Sequence, residues 1–167
     1  GVPLPGALLV LLCDQTASGL LKPMVERLRP SNLDNPISPM VHVVNEYRGG
    51  RYGFPSSHSA NSWGVTFLAM YLVRSRNLNI FLIIWAAIVS YSRTYLGVHY
   101  PGDLLVGMLI GFVMASLVFW IYQHCFKAYA IQFYEHKERL KQDYIPITTG
   151  IVCFATMLMI SVVMCYI

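Results

Sequence analysis

The chain has 167 residues, 56% hydrophobic and 12% charged, with a formal net charge of +4 and a mean hydropathy of +0.52. Soluble domains carry about 25% charged residues, and their apolar positions recur in stripes, whereas here they come in blocks, which excludes an ordinary soluble domain. No run of like charge suits nucleic acid, and Cys13, Cys125, Cys153 and Cys165 lack the spacing of a zinc site or a disulfide framework.

The apolar blocks span residues 4–21, 58–73, 78–96, 104–122 and 145–167. Each is near the roughly 20 residues that cross a bilayer as a helix. They predict an all-α, polytopic transmembrane bundle of five spans forming one domain, 1–167. The chain opens Gly-Val-Pro-Leu-Pro, without Met or a basic leader, so a missing N-terminal portion is expected. Asp14 and Gln15 fall inside the first block, where polar groups need protein partners; a further helix would supply them.

Lys22 and Arg29-Pro30 follow the first block. Their spacing of seven, about two helical turns, places both cations on one face of a continuous helix. They either mark the membrane edge by snorkelling or grip one anion, Arg29 as a planar fork and Lys22 as a compact charge. Residues 31–54 hold Pro36, Pro39, Gly49, Gly50 and Gly53 and read as an extramembrane loop. Within it, Arg48-Gly-Gly-Arg51 is a solvated turn or lines the entrance to a phosphate site.

Pro55-Ser56-Ser57-His58 opens the second block with a serine as N-cap. The free N–H groups of such a helix end bind anions, with Ser56 donating its hydroxyl and His58 facing the same ligand. The plainer alternative is an ordinary cap beside an interfacial histidine. The third block closes on Ser92-Arg93, and His99 and Asp103 follow around Pro101-Gly102. A guanidinium at the end of an apolar span calls for an anion. A tight bend at Pro101-Gly102 would bring Asp103 onto Nδ1 of His99, leaving Nε2 as a nucleophile; Asp103 as the N-cap of the fourth helix is compatible with that role. Gly107 and Gly111 have the spacing of a close helix contact, expected to be intramolecular. Residues 123–144 read as an interfacial charged segment, and 145–167 as an additional span.

With alternating helix directions, the segments 22–30, 55–58 and 93–103 emerge on one face, and the turn at Arg74 and Arg76 and the stretch 123–144 on the other. Each face then holds six of the 12 Lys and Arg side chains: Lys22, Arg27, Arg29, Arg48, Arg51 and Arg93 on one, and Arg74, Arg76, Lys127, Lys137, Arg139 and Lys141 on the other. Setting aside Lys22, Arg29 and Arg93 as chemical groups leaves the excess opposite, which turns the motif face away from the cytoplasm. A two-histidine, one-carboxylate metal site from His58, His99 and Asp103 ranks lower, because three converging cations would repel the ion. No cofactor and no metal are expected.

Lys22-x6-Arg29-Pro30, Pro55-Ser56-Ser57-His58 and Ser92-Arg93-x5-His99-x3-Asp103 together resemble the three motifs of the type 2 phosphatidic acid phosphatase superfamily. Ser57 stands where that family usually has glycine. The resemblance covers 22–103 by motif and implies a helical membrane bundle, commonly of six spans, and a metal-free lipid phosphatase. It assigns His99 as the nucleophile forming a phosphohistidine, Asp103 as its orienting carboxylate and His58 as the general acid and base. Lys22, Arg29, Ser56, Ser57 (through its backbone N–H) and Arg93 would hold the phosphate. The implied substrate is a phosphorylated lipid in the bilayer, of the polyprenyl diphosphate, lipid A or phosphatidylglycerol phosphate type, and the implied place is a bacterial inner membrane with the site facing the periplasm or cell exterior. A non-catalytic phospholipid-binding or transport protein is the alternative; a vanadate haloperoxidase is disfavoured because related haloperoxidases are soluble.

Overall fold

The computed structural model of the chain describes residues 5–125. The predicted span 145–167 lies outside the described residues, as does the interfacial segment beyond residue 125. Four long helices carry the rest: α1 (Pro5–Val25), α2 (Ser57–Val73), α3 (Arg76–Tyr95) and α4 (Pro101–Cys125). Among the described residues there is no strand, only an isolated antiparallel bridge between Leu28 and Tyr52. α1, α3 and α4 are long and apolar enough to cross a membrane, and α2 is shorter, with 17 residues. The described residues are therefore all-α, as their apolar blocks predict.

α2 is the centre of the bundle and packs against the other three helices. Its buried positions are small: Ser57, Ser59, Ala60, Ser62, Gly64 and Thr66, with Leu68 the one large side chain. Lipid tails give helices no hydrophobic reason to associate, so close backbone packing and interhelical hydrogen bonds must hold them together. Both are present. A β-carbon on Gly107 would lie 2.6 Å from the Ser56 carbonyl oxygen, and one on Gly111 would lie 2.6 Å from both the Ala60 oxygen and the Gly64 nitrogen. The glycine pair thus makes the expected intramolecular contact, between α4 and α2. Cys13 and Leu9 of α1 also pack against Gly64, and both are fully buried.

A polar seam reinforces this packing. Ser59 donates to the Leu104 carbonyl (2.8 Å), the Trp63 indole donates to Ser90 (3.0 Å), and Thr66 donates to the Leu82 carbonyl (3.3 Å). These bonds tie α2 to α4 and α3. The outer faces are apolar, with Ile80, Ile84, Ile88, Leu105 and Leu109 exposed as a lipid-facing surface requires.

Gly111→Ala should lower stability by about 1–3 kcal/mol, the usual cost of overpacking. Gly102→Ala, where an added methyl meets nothing within 4 Å, should be neutral or slightly stabilising. Thermal unfolding in detergent reads both, and equal shifts would argue against the glycine contact.

Candidate active site

All the sequence-predicted site residues gather at one end of the bundle, where α1 and α3 finish and α2 and α4 begin. The arrangement of the first cations differs from the expected helical spacing. α1 stops at Val25, and Glu26 adopts a left-handed conformation (φ 50°) while its N–H still closes on the Lys22 carbonyl. Arg29 therefore lies beyond the helix. It is positioned by extended backbone: its N–H donates to the Arg51 carbonyl (3.2 Å), and Gly53 N–H donates to the Arg27 carbonyl (2.8 Å). Lys22 and Arg29 converge through this turn, not through two helical turns. Residues 15–21 wind as a π-helix, and there Asp14 finds a partner within the chain, Ser18, whose hydroxyl donates to it at 3.2 Å.

α2 begins at Ser57, with Ser56 as its N-cap: the fully buried Ser56 accepts from Ser59 N–H at 3.3 Å. Ser57 does not have a positive φ, so the replacement of glycine by serine strains nothing and leaves its N–H in the first turn. Its hydroxyl accepts a 2.9 Å hydrogen bond from the Lys22 ammonium. His58 is exposed at this helix end, and the charges of Arg93, Lys22 and Arg29 all act on it.

α3 ends in a Schellman turn. Gly97 (φ +71°) donates to the Thr94 carbonyl (2.9 Å), and Val98 donates to the Arg93 carbonyl (3.2 Å). A side chain at Gly97 would also strike the His42 carbonyl at 2.6 Å. The turn sends the chain from Arg93 directly to His99. Pro101-Gly102 is not the expected tight bend; these residues are the first turn of α4, and Asp103 is its third residue, not its cap. From there one carboxylate oxygen reaches back to the Tyr100 N–H (2.8 Å) and meets His99 Nδ1 (3.3 Å). The reach-back to the residue preceding the helix is half of a capping box, so helix initiation and histidine orientation share one oxygen.

Nε2 of His99 lies 3.1 Å from Arg29 Nη1. A guanidinium only donates, so Nε2 accepts and the ring proton sits on Nδ1, facing Asp103. Burial first, then the charges of Arg29 and Lys22, push the His99 pKa down to about 3, so the imidazole is neutral with its lone pair toward the cations. Arg29 also donates to the Val98 carbonyl (3.2 Å). The buried Nε atoms of Arg29 and Arg93 have no partner among the described residues, leaving donors for an anion. His58, His99 and Asp103 do not assemble as a metal site, nor does any group of three His, Cys, Asp or Glu among the described residues.

Two loop residues resolve differently from their motif-like appearance. Arg48 braces the loop itself, donating to the Ser31 carbonyl (2.6 Å) and the Ser38 hydroxyl (3.2 Å). Exposed Arg51 pairs loosely with Asp34 at 3.9 Å. Arg27, counted in the sequence only as a cation of the motif face, has a role there that the motifs do not announce. It forms an ion pair with the second oxygen of Asp103 and stacks over Phe54 (4.7 Å) and Tyr100 (5.0 Å). Its one available signal is the aromatic residues near Pro55 and Pro101, which provide faces for a guanidinium.

The site can hold a tetrahedral anion among Lys22, Arg29, Arg93 and the first turn of α2, against an oriented neutral imidazole. The model of the PAP2 superfamily matches residues 4–127. A lipid A 4′-phosphatase of Bacteroides thetaiotaomicron is 51% identical over 105 residues, 63% of this chain and 47% of that protein. A lipid A 4′-phosphatase of Porphyromonas gingivalis is 36% identical over 115 residues, covering 68% and 48%. Phosphatidylglycerophosphatase B of Escherichia coli is 37% identical over 75 residues, covering 43% and 30%. The chain thus spans about half the length, or less, of these relatives, and no solved structure matches it. With the family match covering the site and all four described helices, the chain belongs to the PAP2 superfamily.

Proposed function

We propose that this chain carries the catalytic site of an integral-membrane lipid phosphatase acting through a phosphohistidine on His99. The observation that carries the reading is the clamp on His99: Asp103 on Nδ1 and a cation on Nε2 fix the tautomer that attacks phosphorus. The substrate phosphoryl group takes over the Arg29 donor and binds Lys22, Arg93 and the backbone N–H groups at the start of α2. Nε2 forms a bond to phosphorus as the bond to the lipid oxygen breaks, and His58, able to carry a proton once the bound phosphoryl anion offsets the charges of Arg93, Lys22 and Arg29, gives that oxygen its proton. Water then attacks phosphorus, His58 takes its proton, and the P–N bond breaks to release phosphate. Asp103 stabilises the imidazolium-like ring in between. The cations neutralise the charge on the equatorial oxygens.

The site lies where membrane-crossing helices end, which suits a headgroup held at the bilayer surface. A phosphate ester of the lipid A type is the substrate we favour, since two of the similar proteins are lipid A 4′-phosphatases; the phosphatidylglycerophosphatase makes a glycerophospholipid phosphate the comparison substrate. The cation balance supports a site facing the periplasm or cell exterior of a bacterial inner membrane.

A phosphate-release panel over lipid A, phosphatidylglycerol phosphate and polyprenyl diphosphate tests this. His99→Ala should reduce release by on the order of 10⁴-fold while keeping the detergent-solubilised fold, and EDTA should have no effect; inhibition reversed by added metal would sink the metal-free reading. His58→Ala should cost about 10²–10⁴-fold on lipid esters and much less on nitrophenyl phosphate, whose leaving oxygen needs little protonation. Equal losses on both would remove His58 from the acid role. Acid stability reports on His99 separately. The unfolded chain takes up a proton near the ordinary value of 6.5 and the folded one only near about 3, so stability is lost as pH falls across that window. His99→Gln should flatten this slope in melting temperatures measured between pH 7 and 4.

A further inference from the structure

Lys22 sits at the head of a hydrogen-bonded ladder that runs back along α1 and across to α2. Its ammonium donates to Ser57 (2.9 Å) and to Ser18 (3.2 Å), the two serine hydroxyls are 2.7 Å apart, and Ser18 donates to the Asp14 carboxylate (3.2 Å). Asp14, Ser18 and Lys22 are spaced four apart, and the π-type winding of residues 15–21 keeps all three on the face toward α2. Local π-winding is a recurrent feature of functional helices. A carboxylate inside an apolar span is costly unless it serves something.

Counting protons gives the ladder a direction. A carboxylate only accepts and an ammonium only donates. Ser18 has one proton, which goes to Asp14, so between the two serines it is Ser57 that donates. Ser18 is then saturated, accepting from Lys22 and Ser57 while donating to Asp14. The single proton of Ser57 is spent as well. Its hydroxyl has nothing left to offer a phosphate oxygen, while Lys22 keeps one of its three N–H bonds for the substrate. The charge of Asp14 also acts on Lys22 and His58.

We propose that Asp14 is a positioning residue for the phosphate site: through Ser18 and Ser57 it aims the third N–H of Lys22 at the substrate, and the Ser57 hydroxyl serves the lysine instead of the phosphate. This inference rests on the phosphate-binding reading above. It gives the serine that replaces the family's usual glycine a specific task, that of completing the ladder from the α2 side.

A double-mutant cycle on the full chain tests it, comparing wild type, Asp14→Ala, Lys22→Ala and the double variant. Two readouts are used: phosphate release from lipid A in detergent micelles, and protection from heat by orthovanadate, which requires no turnover. Asp14→Ala should lower kcat about 10- to 100-fold with a smaller change in KM, the scale of a slightly misplaced catalytic group. In the Lys22→Ala background it should have no further effect. Asp14→Asn, whose carbonyl oxygen still accepts from Ser18, should restore part of the loss. The vanadate concentration needed for protection should rise in Asp14→Ala and not rise again in the double variant. Losses that multiply across the cycle, or an Asp14→Ala chain with unchanged kcat, would overturn the proposal. If Asp14→Ala does not fold, Ser18→Ala takes its place in the same cycle. Absence of phosphate release by the wild type, with the vanadate coupling intact, would count against the phosphatase reading and not against the ladder.

Discussion

The contact between α2 and α4 is the constraint on which the site depends. Gly107 and Gly111 let the backbone of α4 approach Ser56, Ala60 and Gly64 without intervening side chains. At the upper end of that contact the Ser56 N–H donates to the Asp103 carbonyl (3.1 Å). Two helix N-termini are thereby fixed side by side, one bearing the serine cap and His58, the other bearing the carboxylate that orients His99. Their dipoles add to the charges of Lys22, Arg29 and Arg93, so positive potential is concentrated where, among the described residues, no anion fully offsets it. Asp103 faces Arg27 and His99, and the Asp14 carboxylate is hydrogen-bonded to Ser18. Packing and electrostatics are one arrangement here: loosening the glycine contact would separate the cations and histidines gathered at this end of the bundle.

Much of this was legible in the sequence, for physical reasons. Blocks of apolar residues long enough to span a bilayer have few alternatives to helix, and glycines four apart on such a helix invite a neighbouring backbone. The order of the polar segments, each at the end of a block, is enough to bring Lys22, His58, Arg93 and His99 to one face. Local geometry was harder to read. The seven-residue interval from Lys22 to Arg29 looks like two helical turns, but the chain leaves the helix at Glu26, a non-glycine residue in a left-handed conformation with no signature to announce it. The Pro101-Gly102 pair looks like a bend but starts α4, because proline fits the first turn of a helix, where its missing N–H costs nothing.

Partnerships formed across the fold were the least legible. Arg27 stands between motif positions, and its relation to Asp103 arises only when the bridge between Leu28 and Tyr52 folds that segment over the start of α4. Asp14 calls for a partner in any reading. The expectation is another helix; among the described residues Asp14 has a partner in Ser18, one turn along the same helix, linked in turn to Ser57 on α2. A glycine at position 57 would have left that ladder without its far rung.

The hydrogen bond between Arg29 and Nε2 of His99 has a consequence for selectivity. While a guanidinium N–H occupies the imidazole lone pair, that lone pair is shielded from any electrophile that arrives without negative charge. A neutral ester or an alkylating lipid offers at most an uncharged acceptor, a weaker means of drawing Arg29 aside. A phosphate monoester is better placed, because its oxygens accept from a guanidinium more strongly than an imidazole nitrogen can. On the proposed phosphohistidine mechanism, the nucleophile would be exposed by the charge of the group it attacks, and discrimination against the uncharged lipids of the bilayer would precede the chemistry.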